Sequence, residues 1–148
     1  MNDVRCPPSG DGDWFERERL HFAAADGDLT EVHRLVALGH DVNAFDDTDM
    51  TPLHHAVEHE HYEIMRYLLS VGASINACRE DRAGDTPLRH VARTCTPEMA
   101  QFLVDHGADP SIPGWMQITA LYLASQRKDA DGLAVYHVLK AAVGKRRA

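Results

Sequence analysis

Leu20, Leu53, Leu88 and Leu121 recur at intervals of 33, 35 and 33 residues. Each opens an apolar set at i, i+3 and i+4. These are Leu20, Ala23 and Ala24; Leu53, Ala56 and Val57; Leu88, Val91 and Ala92; and Leu121, Ala124 and Ser125. That spacing is one face of a helix. A second set follows in each unit at the same spacing: Val32, Leu35 and Val36, then Met65, Leu68 and Leu69, then Ala100, Leu103 and Val104. The pattern therefore predicts two short amphipathic helices per unit, repeated along the chain. Neither helix of a pair can bury its face alone, so the units must stack, and the predicted architecture is an all-α solenoid.

The punctuation agrees. Gly39, Gly72 and Gly107 fall 33 and 35 residues apart, each closing an apolar run, where a left-handed glycine ends a helix. Thr51-Pro52 and Thr86-Pro87 precede two of the leucines and Thr119-Ala120 a third. Threonine caps a helix, and proline suits its first position because that N–H has no helical partner.

The stretches "TPLHHAVEHEHYEIMRYLLSVGASINA" and "DTPLRHVARTCTPEMAQFLVDHGADPS" resemble ankyrin repeats: TPLH, an alanine-rich first helix, a second helix and G-A-D, in phase at a period near 33. The resemblance covers roughly residues 14–142 and implies four helix-turn-helix repeats joined by β-turn fingers. Residues 1–13 are then a flexible tail and 143–148 a basic one. Repeat one has Glu18-Arg19 in place of Thr-Pro and a capping box from Asp13 to Glu16, as an N-terminal cap repeat would. Two extra residues in "CREDRAGD" lengthen the finger after repeat two. Only Gly27 keeps the glycine the family commonly places between the two helices; Glu60, Cys95 and Lys128 replace it. Repeat four, with Ala120 for proline and the longer link "SQRKDADGL", leaves the register of its second helix open.

Charge narrows the partner. The formal net charge is -8, and residues 1–75 hold 15 acids against 5 arginines while residues 76–148 hold 8 acids against 10 lysines and arginines. Such a chain lacks the basic surface that phosphate binding needs, which argues against nucleic acid. Three cysteines without CxxC spacing read as reduced thiols in a cytosolic protein. Neither a signal peptide nor a membrane span is found, and the expected state is a monomer.

One stretch invites a different chemistry. "HHAVEHEH", His54 to His61, carries four histidines and two glutamates, and His55 and His59 lie four apart on one helix face. A metal-binding or metal-sensing protein is the alternative reading of the chain. Against it, the resemblance makes His54 the histidine of TPLH, as His21 is one repeat earlier, and gives His61 a scaffold position. His55 shares a mostly buried column with Phe22, His90 and Leu123, and neither CxxC nor HExxH occurs. Cys95, with His90 five residues back, lacks the oriented base and third group a nucleophile needs. No glycine-rich phosphate loop follows a strand. The chain is read as a non-enzyme without cofactor.

The resemblance implies a concave binding face made of fingertips and the exposed side of the first helices. The predicted contact residues on the fingers are Phe45, Asp46, Asp47, Asp49, Met50, Arg79, Asp81, Arg82, Trp115, Met116 and Ile118. On the first helices they are Glu58, His59, Arg93 and Arg127. Trp, Met and Ile together on a finger suggest an interface anchor; alternatively, Trp115 and Ile118 fold back to seal the last repeat. The functional expectation is a protein-interaction module that binds one folded partner, with an inhibitor or antitoxin-type immunity protein, blocking a basic partner, as its specific version.

Overall fold

The computed structural model describes residues 18–79, 81 and 84–147. The expected N-terminal tail, the Asp13–Glu16 capping box, Arg82 and most of the lengthened finger lie outside them. Every regular element among the described residues is helical: α1 Arg19–Asp26, α2 Leu29–Ala37, α3 Pro52–Glu58, α4 Tyr62–Ser70, α5 Pro87–Val91, α6 Pro97–Asp105, α7 Ala120–Ser125 and α8 Ala130–Arg147. A short 3-10 turn, Trp115–Gln117, stands before α7. The order is four helix pairs.

Local chemistry sets the helix ends. Thr51, Thr86, Thr96 and Thr119 each accept a backbone N–H from the third residue of the helix they open, which satisfies a donor that would otherwise have no partner. Glu18, standing where threonine does elsewhere, makes no side-chain cap. At the other end Gly39, Gly72 and Gly107 have φ of 101°, 104° and 98°. The residue after each glycine donates back to a leucine carbonyl in the same way: His40 to Leu35, Ala73 to Leu68 and Ala108 to Leu103, at 3.1, 2.9 and 2.9 Å. Only glycine adopts this left-handed cap without steric cost.

Packing follows the repeat. First helices stack on first helices, α1 on α3, α3 on α5 and α5 on α7, with the second helices behind. Leu20, Leu53 and Leu88 are fully buried at equivalent places, and truncating such a leucine costs about 2–5 kcal/mol. The second helices are rotated from expectation. Val36, Leu69 and Val104 are half-buried, whereas Ile64 and Met99, one position before the expected set, are fully buried. α4 meets both its own first helix and the second helix of repeat one, and α6 packs on the second helix of repeat four, so the buried stripe widens toward the N-terminal side. In repeat four, Val135, Leu139 and Ala142 are the buried face of α8, which fixes the open register. At 18 residues α8 is twice the length of α4 and carries the backbone of residues 143–147 on as helix.

Side chains lock repeat to repeat. Asn43 donates through Nδ2 to the Gly72 carbonyl at 3.0 Å and accepts from the Ser74 amide at 2.7 Å. Asn76 does the same with Gly107 and Asp109, at 3.2 and 2.8 Å.

Candidate functional site

The first and last fingers share one pattern of backbone hydrogen bonds. In the first, the Asp46 amide donates to the Met50 carbonyl at 2.9 Å and the Asp49 amide to the Asp46 carbonyl at 3.0 Å. In the last, Gly114 donates to Ile118 at 2.9 Å and Gln117 to Gly114 at 3.0 Å. Asp49 and Gln117 both sit at positive φ, 64° and 62°, and Met116 joins them at 58°.

Beneath the fingers, one side chain from the first helix of each of repeats one to three reaches up to hold them. His54 donates from Nε2 to the Asp85 carbonyl at 2.6 Å, while its Nδ1 accepts from the Thr51 amide at 3.0 Å. It is therefore a neutral ring with its proton on Nε2. Burial dominates its titration and brings it down to about 3, with His90 and His55 nearby working the same way. One repeat later Arg89 occupies that position. Its Nε donates to the Ile118 carbonyl at 2.6 Å, and the guanidinium pairs with Asp85. It also lies against Gly114, where a Cβ would meet Arg89 Cζ at 2.4 Å, so the finger carries glycine there. His21 in repeat one donates to Ala44 at 2.8 Å.

The four histidines of the His54–His61 stretch disperse. His55 donates to Asp46 Oδ2 at 2.8 Å and meets His21 edge-on at 5.9 Å. His61 donates to the Ala25 carbonyl at 3.1 Å. His59 is exposed and stacks on His61 at 6.0 Å. Among the described residues no group of three or more His, Cys, Asp or Glu is placed to hold a metal ion. The Cys95 thiol is buried, which pushes it up to about 11 despite the Arg127 guanidinium beside it. A thiol in that state is a poor nucleophile.

The predicted contact residues divide into two groups. Asp46 was expected as an exposed acid, but its carboxylate is turned inward and only 7% exposed. Oδ1 accepts from the Thr48 amide, the Thr48 hydroxyl and the Met50 amide at 2.9, 2.7 and 3.1 Å. Burial alone would raise this carboxyl; hydrogen bonds from Thr48, His55 and the Met50 amide outweigh that and hold it at about 2. Arg127 is likewise spent inside the stack. Its guanidinium donates to the Cys95 carbonyl at 2.8 Å and pairs with Asp129 at 2.6 Å, leaving the side chain 9% exposed. Phe45 is half-buried, with the Arg79 guanidinium 5.4 Å above its ring. Arg79 also pairs with Asp81 at 3.1 Å and lies 3.6 Å from Asp49. Met50 is half-buried.

The second group faces outward. Asp47, Asp81, Glu58, His59 and Arg93 are exposed. Glu58 accepts from His90 at 3.2 Å. Trp115 and Met116 are 62% and 68% exposed at the tip of the last finger, while Ile118 packs half-buried against the core. The closing of the terminal repeat thus falls to Ile118 and not to Trp115. Sequence reasoning passed over three residues here. Arg89 and Tyr122 both replace the histidine of TPLH, and that substitution was the available signal. Arg89 became a finger tie, and Tyr122, 52% exposed, lines a concave cleft with Arg93, Ile118, Leu123, Gln126 and Arg127. His90, the third, floors the cleft beneath the fingers.

Known proteins have similar sequences. A profile of ankyrin repeats in three copies matches residues 20–114. The chain is 32% identical over 123 residues to human B-cell lymphoma 3 protein, covering 80% of this chain and 24% of that protein. It is 35% identical over 89 residues to the BTB/POZ domain and ankyrin repeat-containing protein NPR5 of Oryza sativa subsp. japonica, covering 60% and 17%. With mouse protein phosphatase 1 regulatory subunit 27 it is 43% identical over 68 residues, covering 46% and 43%. The chain thus spans less than half the length of each. With the profile matched over most of its length, and with the stacked helix pairs, glycine caps and fingers all in phase, the chain belongs to the ankyrin repeat family.

Proposed function

We propose that this chain is a non-catalytic protein-interaction module that grips a folded partner with its fingertips and first helices. One observation carries the reading: Trp115 and Met116 stand adjacent and exposed on a finger that its own backbone and Arg89 hold in place. A large aromatic presented on a rigid support loses little entropy on burial, and such residues dominate interface energies. The buried, neutral state of His54 and the raised Cys95 thiol serve the scaffold and offer no reaction chemistry.

A sharper form of the reading is an inhibitor or antitoxin-type protein that covers a basic partner in the cytosol. The exposed acids Asp26, Asp47 and Glu58 on repeats one and two support it, because unlike charge speeds encounter. A regulatory role is also what the name of the mouse phosphatase subunit states for that protein. The test is quantitative pull-down with the wild-type chain and the Trp115→Ala variant. A partner held by the first and lost by the second, with both proteins melting alike, is the expected result. Equal recovery of every partner by the folded variant would refute the anchor.

A further inference from the structure

Glu58, Arg93 and Gln126 stand at equivalent places, one repeat apart, where the first helices end. Their side chains fare differently. Glu58 accepts from His90 at 3.2 Å and Gln126 donates to the Ser125 hydroxyl at 3.3 Å, whereas among the described residues no hydrogen bond or ion pair engages the Arg93 guanidinium. Its five N–H donors are free. Acids in the neighbourhood are already bound: Asp85 pairs with Arg89, and Asp129 with Arg127, on which Asp131 also acts. Burial lowers Arg89, and the charge of Arg93 nearby works the same way. Arg93 is left without a bonded counter-charge.

It also stands at a cleft of about 390 Å3, whose other lining residues are Ile118, Tyr122, Leu123, Gln126 and Arg127. No carboxylate is among them. Arg127 is bonded to the Cys95 carbonyl and to Asp129, while Tyr122 is 52% exposed and its hydroxyl is bonded to none of the described residues. The cleft therefore offers one guanidinium and one hydroxyl beside the apolar carbon of Ile118 and Leu123. A carboxylate accepts two parallel N–H bonds from such a guanidinium, and one free cation matches its single charge better than the near double charge of a phosphate.

We infer that this cleft takes an acidic side chain of the partner, its carboxylate accepting from Arg93 and Tyr122, with a neighbouring apolar residue of the same segment against Ile118 and Leu123. This rests on the protein-binding reading above and adds an acid to a partner whose basic surface faces repeats one and two. The two contacts together fix the register. A partner slid back by one repeat would set its acid against Glu58, and like charges brought together oppose docking.

The probe is N-acetyl-Glu-Leu-amide, followed by the Ile118 methyl signals in 1H–13C spectra, which an Ile118→Val variant assigns. The expected result is a saturable shift, with N-acetyl-Gln-Leu-amide weaker by roughly two- to fivefold, as for an ion pair at a rim. Arg93→Gln should make the two peptides equal while melting as wild type does, because that side chain makes no bond in the fold. Arg93→Lys should keep part of the preference, since the charge stays and the fork is lost. Added salt should weaken the glutamate peptide and leave the glutamine peptide unchanged, a measurement that needs no variant. The inference is overturned if the glutamine peptide or N-acetyl-Lys-Leu-amide binds as tightly, or if Arg93→Gln retains the preference. Tighter binding of N-acetyl-phosphoserine-Leu-amide would overturn it in favour of phosphate, and silent methyls with every peptide would also overturn it. The Trp115→Ala pull-down judges the wider reading separately, because Trp115 does not line this cleft.

Discussion

The fingers at Asp46–Met50 and Gly114–Ile118 have the same hydrogen-bonded backbone and opposite side-chain economies. The first is organised from within: one buried carboxylate gathers two amides, a hydroxyl and an imidazole. The second has no such group. It is held from below by Arg89 and by the absence of a side chain at Gly114, and its own side chains, Trp115 and Met116, are released to solvent. A finger that stabilises itself spends its residues on folding, whereas a finger supported by the helix beneath can devote them to contact.

The largest effect comes in acid, where the tie under the middle finger, His54, titrates and the tie under the last finger, Arg89, does not. His54 has a folded value near 3 against an ordinary 6.5. Its contribution is therefore fully present above pH 6.5 and is lost as pH falls toward 3, by several kcal/mol at the limit. Arg89 stays charged throughout this range. Hydrogen exchange across a pH series should show the Asp85 segment opening well before the Gly114–Ile118 finger; simultaneous opening would abolish the distinction. Asp46 adds a second loss, on the order of 2 kcal/mol, as pH drops from 3.8 through about 2.

Next in size, Asp46→Ala should lower unfolding free energy in urea by about 2–3 kcal/mol, since it strands His55 and removes charge-assisted hydrogen bonds. Trp115→Ala makes the opposite forecast: stability within about 0.5 kcal/mol of wild type, but loss of about 2 kcal/mol or more in partner binding, seen as faster dissociation. A clear drop in melting temperature for Trp115→Ala would erase the difference between the fingers. The smallest effect concerns the strained tip. Gln117→Gly should raise stability by up to about 1 kcal/mol, because a left-handed residue with a Cβ carries roughly that cost; thermal melts resolve it.

The repeat, its helices and their glycine caps were legible because each is a local statement about periodicity or φ. The identity of the family followed from the same residues. The direction of Asp46 was not read, although an aspartate two residues before Thr48 has the spacing of a side chain that bonds its own backbone. Counting it among exposed acids treated a turn as a straight run of charge. The burial of Arg127 was not read for a different reason: besides the nearby Asp129, its partners Cys95 and Ala92 are a full repeat away, and nothing local announces those. The burial of Ile64 and Met99 depends on where neighbouring helices lie, which a single helical face cannot reveal. Trp115 was left between anchor and seal, a choice that turned on whether Ile118 alone could close the repeat.

The paired bonds of Asn43 and Asn76 have a consequence for how the molecule could be lengthened. Each asparagine reads only the glycine carbonyl and one amide of the next unit, so the junction is indifferent to what lies two units away. A duplicated copy of residues 44–76 placed after Asn76 would present the same glycine and the same amide to each neighbour. The joint works like a standard coupling, and the row of fingers could be extended by whole teeth without recutting those already there.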